Sequence, residues 1–195
     1  MDDKQTGPTR HKALFLDRDG VINRKLPEDQ YVRNHSEFEL LPGVRAAMSI
    51  FSRLGYLLVV VTNQRGIARG LMGEDELDSV HEYMRLRLLE RGVQLDGIYY
   101  CPHDRDEGCE CRKPRPGMIL EAARDMDIDI EQSYMVGDSD SDIAAAQNAG
   151  VRAVRISAEN DPKAHLTFQS LMDFAHYLEQ SARNTDIGLP GENNE

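Results

Sequence analysis

No apolar run in this 195-residue chain approaches the roughly 20 residues that a helical membrane span requires. The opening Met1-Asp2-Asp3-Lys4-Gln5 has the layout of neither a signal peptide nor a transit segment, so a cytoplasmic location is expected. Basic residues are outnumbered, 23 Lys and Arg against 34 Asp and Glu, for a net charge of −11. That balance repels nucleic-acid backbones and anionic membranes, and no concentrated basic patch offsets it, so neither is an expected partner. Cysteine is scarce as well. Only Cys101, Cys109 and Cys111 are present; an odd number in one short segment of a cytosolic chain points to metal ligation over disulfides. Internal repeats and low-complexity tracts are absent, nothing marks an interface, and a monomer is expected. What is present, 40% apolar residues, is enough for one substantial core and too little chain for two domains.

The chain is organised around Leu14-Phe15-Leu16-Asp17-Arg18-Asp19-Gly20. A short apolar run reads as a buried parallel strand, and it ends in two carboxylates spaced two residues apart. Residues two apart in a strand point the same way, so Asp17 and Asp19 share the space beyond its carboxyl end, where open α/β sheets keep their chemistry. Two such charges raise each other's pKa unless a cation intervenes, and Mg²⁺ suits oxygen ligands and phosphate. An Asp-Gly turn gives the same string, so other residues must decide.

Residues 1–12 are polar and aperiodic, and a flexible arm is expected there. The domain is expected over 13–181. Strand one covers about Ala13 to Asp17, and the long mixed segment from Asn23 to Leu41 is expected to shape a pocket. Apolar positions Val44, Ala47, Met48, Phe51 and Leu54 recur at helical spacing. Tyr56 to Thr62 is a nearly continuous apolar run, a strand covered on both faces. A helix from Glu74 to Arg91 follows, then strands at Gly97 to Tyr100, Tyr134 to Val136 and Val151 to Ile156, with helices from Pro116 and Asp142 between them. Thr167 is placed to cap a last helix, and 182–195 has a disordered composition. Alternating strands and helices argue for an α/β sandwich with a parallel sheet.

The residues after each strand form a series: Asp17 and Asp19, then Thr62 and Asn63, then Arg112-Lys113, then Asp138. Alone, Thr62 reads as a strand-end turn and Lys113 as a surface charge. Together they supply a carboxylate nucleophile, a metal site and donors for phosphoryl oxygens. Separately, Cys101-x-His103 followed by Cys109-x-Cys111 supplies four ligands, enough for a closed tetrahedral zinc site that stiffens the loop over 101–111. That loop is acidic, which argues against a nucleic-acid-binding finger. The remaining histidines, His81 among them, read as surface or loop residues.

The four stations resemble the signature motifs of the haloacid dehalogenase superfamily of phosphatases. The resemblance implies a Rossmann-like three-layer sandwich without a large cap domain. It also implies Asp17 as nucleophile, Asp19 as general acid and later base, and Thr62 and Lys113 as holders of the phosphoryl oxygens. Mg²⁺ would be ligated by Asp17, Asp138 and the backbone carbonyl of Asp19, with Asp142 orienting and Asp140 facing solvent. An idle binding module would have to retain this complete set for no purpose.

A narrower resemblance rests on Val61-Thr62-Asn63-Gln64, Gly66-Ile67-Ala68-Arg69-Gly70, Leu95 to His103, Cys111-Arg112-Lys113-Pro114 and Ser133 to Asp138. These are similar to the D,D-heptose 1,7-bisphosphate 7-phosphatase family and to its sister, the histidinol-phosphate phosphatases, in which a zinc loop stands in for the cap. The implied reaction is removal of the 7-phosphate from the heptose bisphosphate, in nucleotide-activated heptose and lipopolysaccharide biosynthesis. Histidinol phosphate is the alternative. Asn23, Asn63, Gln64, Arg69 and Arg112 are the expected substrate contacts, and Arg24 and Lys25 add charge suited to two phosphates. The short spacer between Cys-x-His and Cys-x-Cys resembles the histidinol enzymes, as Arg24 to Asp29 also departs from the heptose pattern. The segments Gly66 to Gly70 and Pro114 to Met118 favour the heptose side.

Overall fold

The computed structural model describes residues 10–187. In chain order the elements are β1 (Lys12–Leu16), α1 (Val44–Arg53), β2 (Tyr56–Asn63), α2 (Glu74–Leu89), β3 (Gly97–Cys101), α3 (Gly117–Asp125), β4 (Tyr134–Gly137), α4 (Asp140–Ala149), β5 (Arg152–Ile156), β6 (Leu166–Phe168) and α5 (Leu171–Ile187). The six strands form one sheet in the order β3-β2-β1-β4-β5-β6, with every neighbouring pair parallel.

Alternation along β1 divides the core in two. Leu14 and Leu16 join α1, α2 and α5 on one face, where Val44, Met48, Phe51, Met84 and Phe174 are buried. Ala13 and Phe15 join α3 and α4 on the other, with Met118, Ile119, Ile143 and Ala146. A strand covered on both sides can be apolar at every position, which is why β1 and β2 read as continuous runs. This is the three-layer parallel α/β sandwich that the resemblance implies.

The topology locates the site. The chain builds outward from β1 to β2 and β3, then returns past β1 to lay down β4 on its other side. The switch therefore falls between β1 and β4, and the crevice beyond their carboxyl ends is where open α/β sheets bind ligands. Asp17 and Asp138 stand directly after those two strands, and the Asp17 amide donates to the Val136 carbonyl at 2.9 Å.

Three boundaries differ from the sequence expectation. Thr167 caps no helix: Leu166–Phe168 pairs with β5 as a sixth strand, and Thr167 Oγ1 accepts from the Asp161 amide at 3.1 Å. The cap is Ser170, whose Oγ accepts from the Asp173 amide at 3.2 Å; Thr and Phe suit an edge strand better than a helix start. At the amino end, Lys12 already belongs to β1, and His11 exchanges backbone hydrogen bonds with Asp127 and Asp129. Ordered chain thus begins before residue 13, and 1–9 lie outside the described residues. At the other end α5 continues to Ile187, into the segment expected to be disordered, while 188–195 lie outside the described residues.

Candidate active site

Lys113 is the electrostatic centre of the crevice. Its ammonium is 2.6 Å from Asp17 Oδ1 and 2.6 Å from Asp142 Oδ1, and it donates to the Val61 carbonyl at 2.7 Å. The side chain is 3% exposed. Burial alone would lower its pKa, but the two carboxylates outweigh this and hold it well above the ordinary lysine value. Asn63, the last residue of β2, fixes the loop that carries it: Asn63 Nδ2 donates to the Lys113 carbonyl at 3.1 Å and its Oδ1 accepts from the Lys113 amide at 3.0 Å. Asp142, in the first turn of α4, is held by Ser139 through its amide at 3.0 Å and its hydroxyl at 2.6 Å.

Asp17 feels opposing influences. Burial pushes its carboxyl up, Lys113 pulls it down, Asp142 and Asp19 push it up again, and the result is raised to about 7. Asp17, Asp19, Asp138 and Asp142 face Lys113, Lys25 and Arg18, so the carboxylates outnumber the cations by one in a largely buried place. Asp17, Asp138 and Asp142 each offer an oxygen, all within 4.8 Å of one another. Asp142 is committed to Lys113 and Ser139, but Asp138 Oδ1 is buried with no hydrogen-bond partner. Its other oxygen receives Lys25 Nζ at 2.7 Å. Hard oxygen donors, surplus charge and an unpaired buried acceptor fit Mg²⁺. Gly20 permits the approach: at φ +100°, an added Cβ would lie 2.3 Å from Asp138 Oδ2.

Asp19 turns the other way. Arg18, 1% exposed, grips it with Nη2 to Oδ2 at 2.9 Å and Nε to Oδ2 at 3.2 Å. Asn23 Nδ2 donates to Asp19 Oδ1 at 2.9 Å and Gln64 Nε2 to Oδ2 at 3.2 Å. Burial opposes its ionisation, but Arg18 and these two amides outweigh it, so the carboxyl lies below its ordinary value. Gln64 Nε2 also donates to Thr62 Oγ1 at 2.9 Å, which ties the hydroxyl to the same network.

The loop after β3 gathers Cys101, His103, Cys109 and Cys111, with ligand atoms within 4.8 Å of one another. Cys101 Sγ is 3.6 Å from Cys109 Sγ and 3.5 Å from His103 Nδ1, and that nitrogen is 3.3 Å from Cys111 Sγ. A tetrahedral zinc site with ordinary bond lengths places sulfurs ~3.8 Å apart and sulfur and nitrogen ~3.5 Å apart. The spacing fits zinc with all four positions filled by protein. Arg112 and Arg115 brace the loop, donating to the carbonyls of His103 at 3.1 Å and Cys109 at 2.6 Å.

Two cavities, about 430 and 200 Å³, meet at Asn63, Arg105 and Arg112. The smaller reaches Asp19 and is rimmed by Lys25 and Arg65. A chain of net charge −11 therefore concentrates cations around one cleft.

A family model described as HAD-hydrolase-like matches residues 110–175. The D-glycero-β-D-manno-heptose-1,7-bisphosphate 7-phosphatase of Vibrio cholerae is 43% identical over 180 residues, spanning 85% of this chain and 95% of that protein. Its counterpart in Haemophilus ducreyi is 45% identical over 181 residues, spanning 86% and 98%. The chain belongs to this phosphatase family. Among solved structures, the D,D-heptose 1,7-bisphosphate phosphatase of B. bronchiseptica, complexed with magnesium and phosphate, matches with a TM-score of 0.80 at 35% identity. That match covers 87% of this chain and 99% of that one.

In this phosphatase the nine residues expected at the Mg²⁺, phosphoryl and zinc positions fall into two clusters, at the β1/β4 crevice and in the β3 loop. The expected substrate contacts divide. Arg112 lines both cavities. Asn23, Asn63 and Gln64 donate to Asp19, the Lys113 carbonyl and Thr62, and of the three Asn63 lines both cavities and Gln64 the smaller one. Arg69 is drawn to Asp29 at 2.5 Å and lies outside the cleft lining, whereas Arg65, not singled out from sequence, lines it and pairs with Asp29 and Tyr31. Its place just after Gln64 at the end of β2 was the available signal. His81 is no surface residue: it is 6% exposed and touches Arg18. The apolar spacing of Leu77, Val80, Met84 and Leu88 on α2 already puts position 81 at the edge of the buried stripe. Asp140 does face solvent, paired with Arg155 and Lys163.

Proposed function

We propose that this phosphatase removes the 7-phosphate of D-glycero-D-manno-heptose 1,7-bisphosphate through an aspartyl-phosphate on Asp17. The observation that carries the reading is the cleft opening from Asp19, two adjoining cavities of about 430 and 200 Å³ lined by Arg65, Arg105 and Arg112, guanidiniums that suit a second phosphate beyond the one at Asp17. Asp17 Oδ forms a bond to phosphorus as the bond from phosphorus to the sugar C7 oxygen breaks; Asp19, ionised in the free site, takes up a proton when the bound phosphate's negative charge raises its pKa, and delivers it to that oxygen. Water then attacks the acyl phosphate while Asp19 takes its proton, and phosphate leaves with Asp17 restored. Lys113 and Thr62 hold the phosphoryl oxygens. Mg²⁺, held by Asp17, Asp138 and the backbone carbonyl of Asp19, would neutralise phosphate charge and align the group for in-line attack. Zn²⁺ on Cys101, His103, Cys109 and Cys111 would be structural, shaping the loop that presents Arg105 and Arg112.

Histidinol phosphate fits less well, because its ammonium would face these same arginines. The relatives named above all carry the heptose activity. Three thiols arranged as metal ligands suit a reducing cytoplasm, and every group used belongs to one chain, so a monomer suffices. The test is phosphate release from heptose 1,7-bisphosphate and from histidinol phosphate, with Mg²⁺, for the native chain and Asp17→Asn. A kcat/KM that favours the heptose substrate and vanishes in the variant is expected. Preference for histidinol phosphate, or turnover by Asp17→Asn, overturns the reading.

A further inference from the structure

Arg18 is the largest fully buried side chain among the described residues. A guanidinium out of water must have its donors met, or the burial is strongly unfavourable. Nε and Nη2 serve Asp19, and Nη2 also reaches Gln64 Oε1 at 3.3 Å. The remaining nitrogen, Nη1, meets His81 Nε2 at 3.3 Å. His81 comes from the middle of α2, and its ring is tilted against Tyr100 at 5.9 Å between centroids.

Arg18 can only donate, so His81 must accept on Nε2, which makes it the neutral tautomer with its proton on Nδ1. Its environment enforces this: burial and the neighbouring Arg18 charge hold the imidazole down at about 3. The fork is thereby fixed at both edges, with a neutral acceptor on one side and the carboxylate of Asp19 on the other. An apolar side chain of similar volume would fill the space but leave Nη1 unpaired, and the guanidinium would be free to rotate toward another acceptor, taking Asp19 with it.

We propose that His81 is a positioning residue for the proton-transfer carboxylate, acting through Arg18 to fix the orientation of Asp19. The inference rests on the reading of Asp19 given above. It is tested with His81→Leu, which removes the acceptor, and His81→Gln, whose amide oxygen can occupy the Nε2 position. Heptose 1,7-bisphosphate with Mg²⁺ is the substrate, and Asp17→Asn is assayed in parallel. Expected are a fall in kcat of about tenfold for His81→Leu with KM within about twofold, and recovery to within about threefold of native kcat for His81→Gln. Native kcat in His81→Leu, or equal losses in both variants, overturns the proposal. Should His81→Leu fail to fold, nitrogen NMR of the native chain decides: a neutral imidazole protonated on Nδ1 at pH 5 supports the relay, and an imidazolium refutes it. An inactive Asp17→Asn alongside a fully active His81→Leu would sink the positioning role alone, whereas an active Asp17→Asn would remove both.

Discussion

Lys113→Met puts the central electrostatic claim at risk. The ammonium lies within 2.6 Å of two carboxylates and is almost wholly buried. Methionine fills nearly the same volume, so packing is conserved and the change is chiefly one of charge. Removing one partner of a buried ionic cluster leaves the others uncompensated, which costs about 3–5 kcal/mol. For a chain of this size each kcal/mol moves Tm by roughly 2–4 °C, so a fall on the order of 10 °C is expected. The loss should shrink if Asp17 is neutralised as well, because Asp17→Asn removes one of the stranded charges. The assay is a double-mutant cycle by urea melts without metal, with Lys113→Met, Asp17→Asn and the pair. Strictly additive effects, or a single variant within 1 kcal/mol of native, would refute the idea that these groups form one interdependent cluster. Turnover should drop by about 10²–10³-fold with Lys113 gone, as for loss of a donor aimed at developing charge.

In the zinc loop, metal analysis should find one zinc per chain, and Cys109→Ser should lose it with a rise in KM, since Arg105 and Arg112 are carried by the same segment; a metal-free native chain of full activity would contradict this. Arg65→Met should raise KM for the bisphosphate about tenfold and change kcat little, as expected for a residue at the cleft rim. Gly137→Ala should destabilise severely, because the added Cβ would sit 2.1 Å from Asp142 Cβ, and thermal melts would show it. Stability should also depend on pH through His81. Burial and the charge of Arg18 hold it at about 3, with Asp19 opposing and Arg85 assisting. The unfolded chain takes up that proton below about 6.5, so the contribution is complete above this value and is lost as pH falls. Between pH 6.5 and 5 the loss is about 1.5 kcal/mol and should be missing from His81→Gln; parallel stability curves for the two proteins would count against it.

The residues proposed to meet the phosphoryl group were legible in the sequence because they stand at or beyond strand ends: Asp17 and Asp138 directly follow β1 and β4, Thr62 is the last but one residue of β2, and Lys113 is in the loop after β3. Their convergence needed only the strand assignments, whereas the role of each came from the family resemblance. The residues that hold them were harder to read. Asn63 and Gln64 sit beside Thr62 and look like ligand contacts, and only the folded chain shows that one binds the Lys113 backbone and the other Asp19. His81 lies more than 60 positions from Arg18, and no local pattern announces a partner at that distance. The sixth strand was missed because three residues at a sheet edge carry too little periodicity to outweigh a threonine that resembles a helix cap.

Under the proposed function, charge placement would let the cleft select for a second phosphate. Arg65 is already paired with Asp29 and lies 3.7 Å from Asp104, while Arg105 is 3.9 Å from Glu28. These pairs link the tip of the β1–α1 loop to the zinc loop across the cleft. They are partly exposed, so each contributes little to stability. A sugar hydroxyl cannot displace a carboxylate from an arginine, but a phosphate brings nearly two charges and three acceptors in a geometry the guanidinium fork matches. Entry of a second phosphate would then be an exchange of partners, with Asp29 or Glu28 released to solvent as the phosphate takes their place. Such an exchange would be weak for monophosphates, whose single charged end the proposed reaction places at Asp17. It follows that raising salt should raise KM for the bisphosphate more steeply than for a sugar monophosphate, and equal salt dependence for the two would mean the arginines take no part in binding.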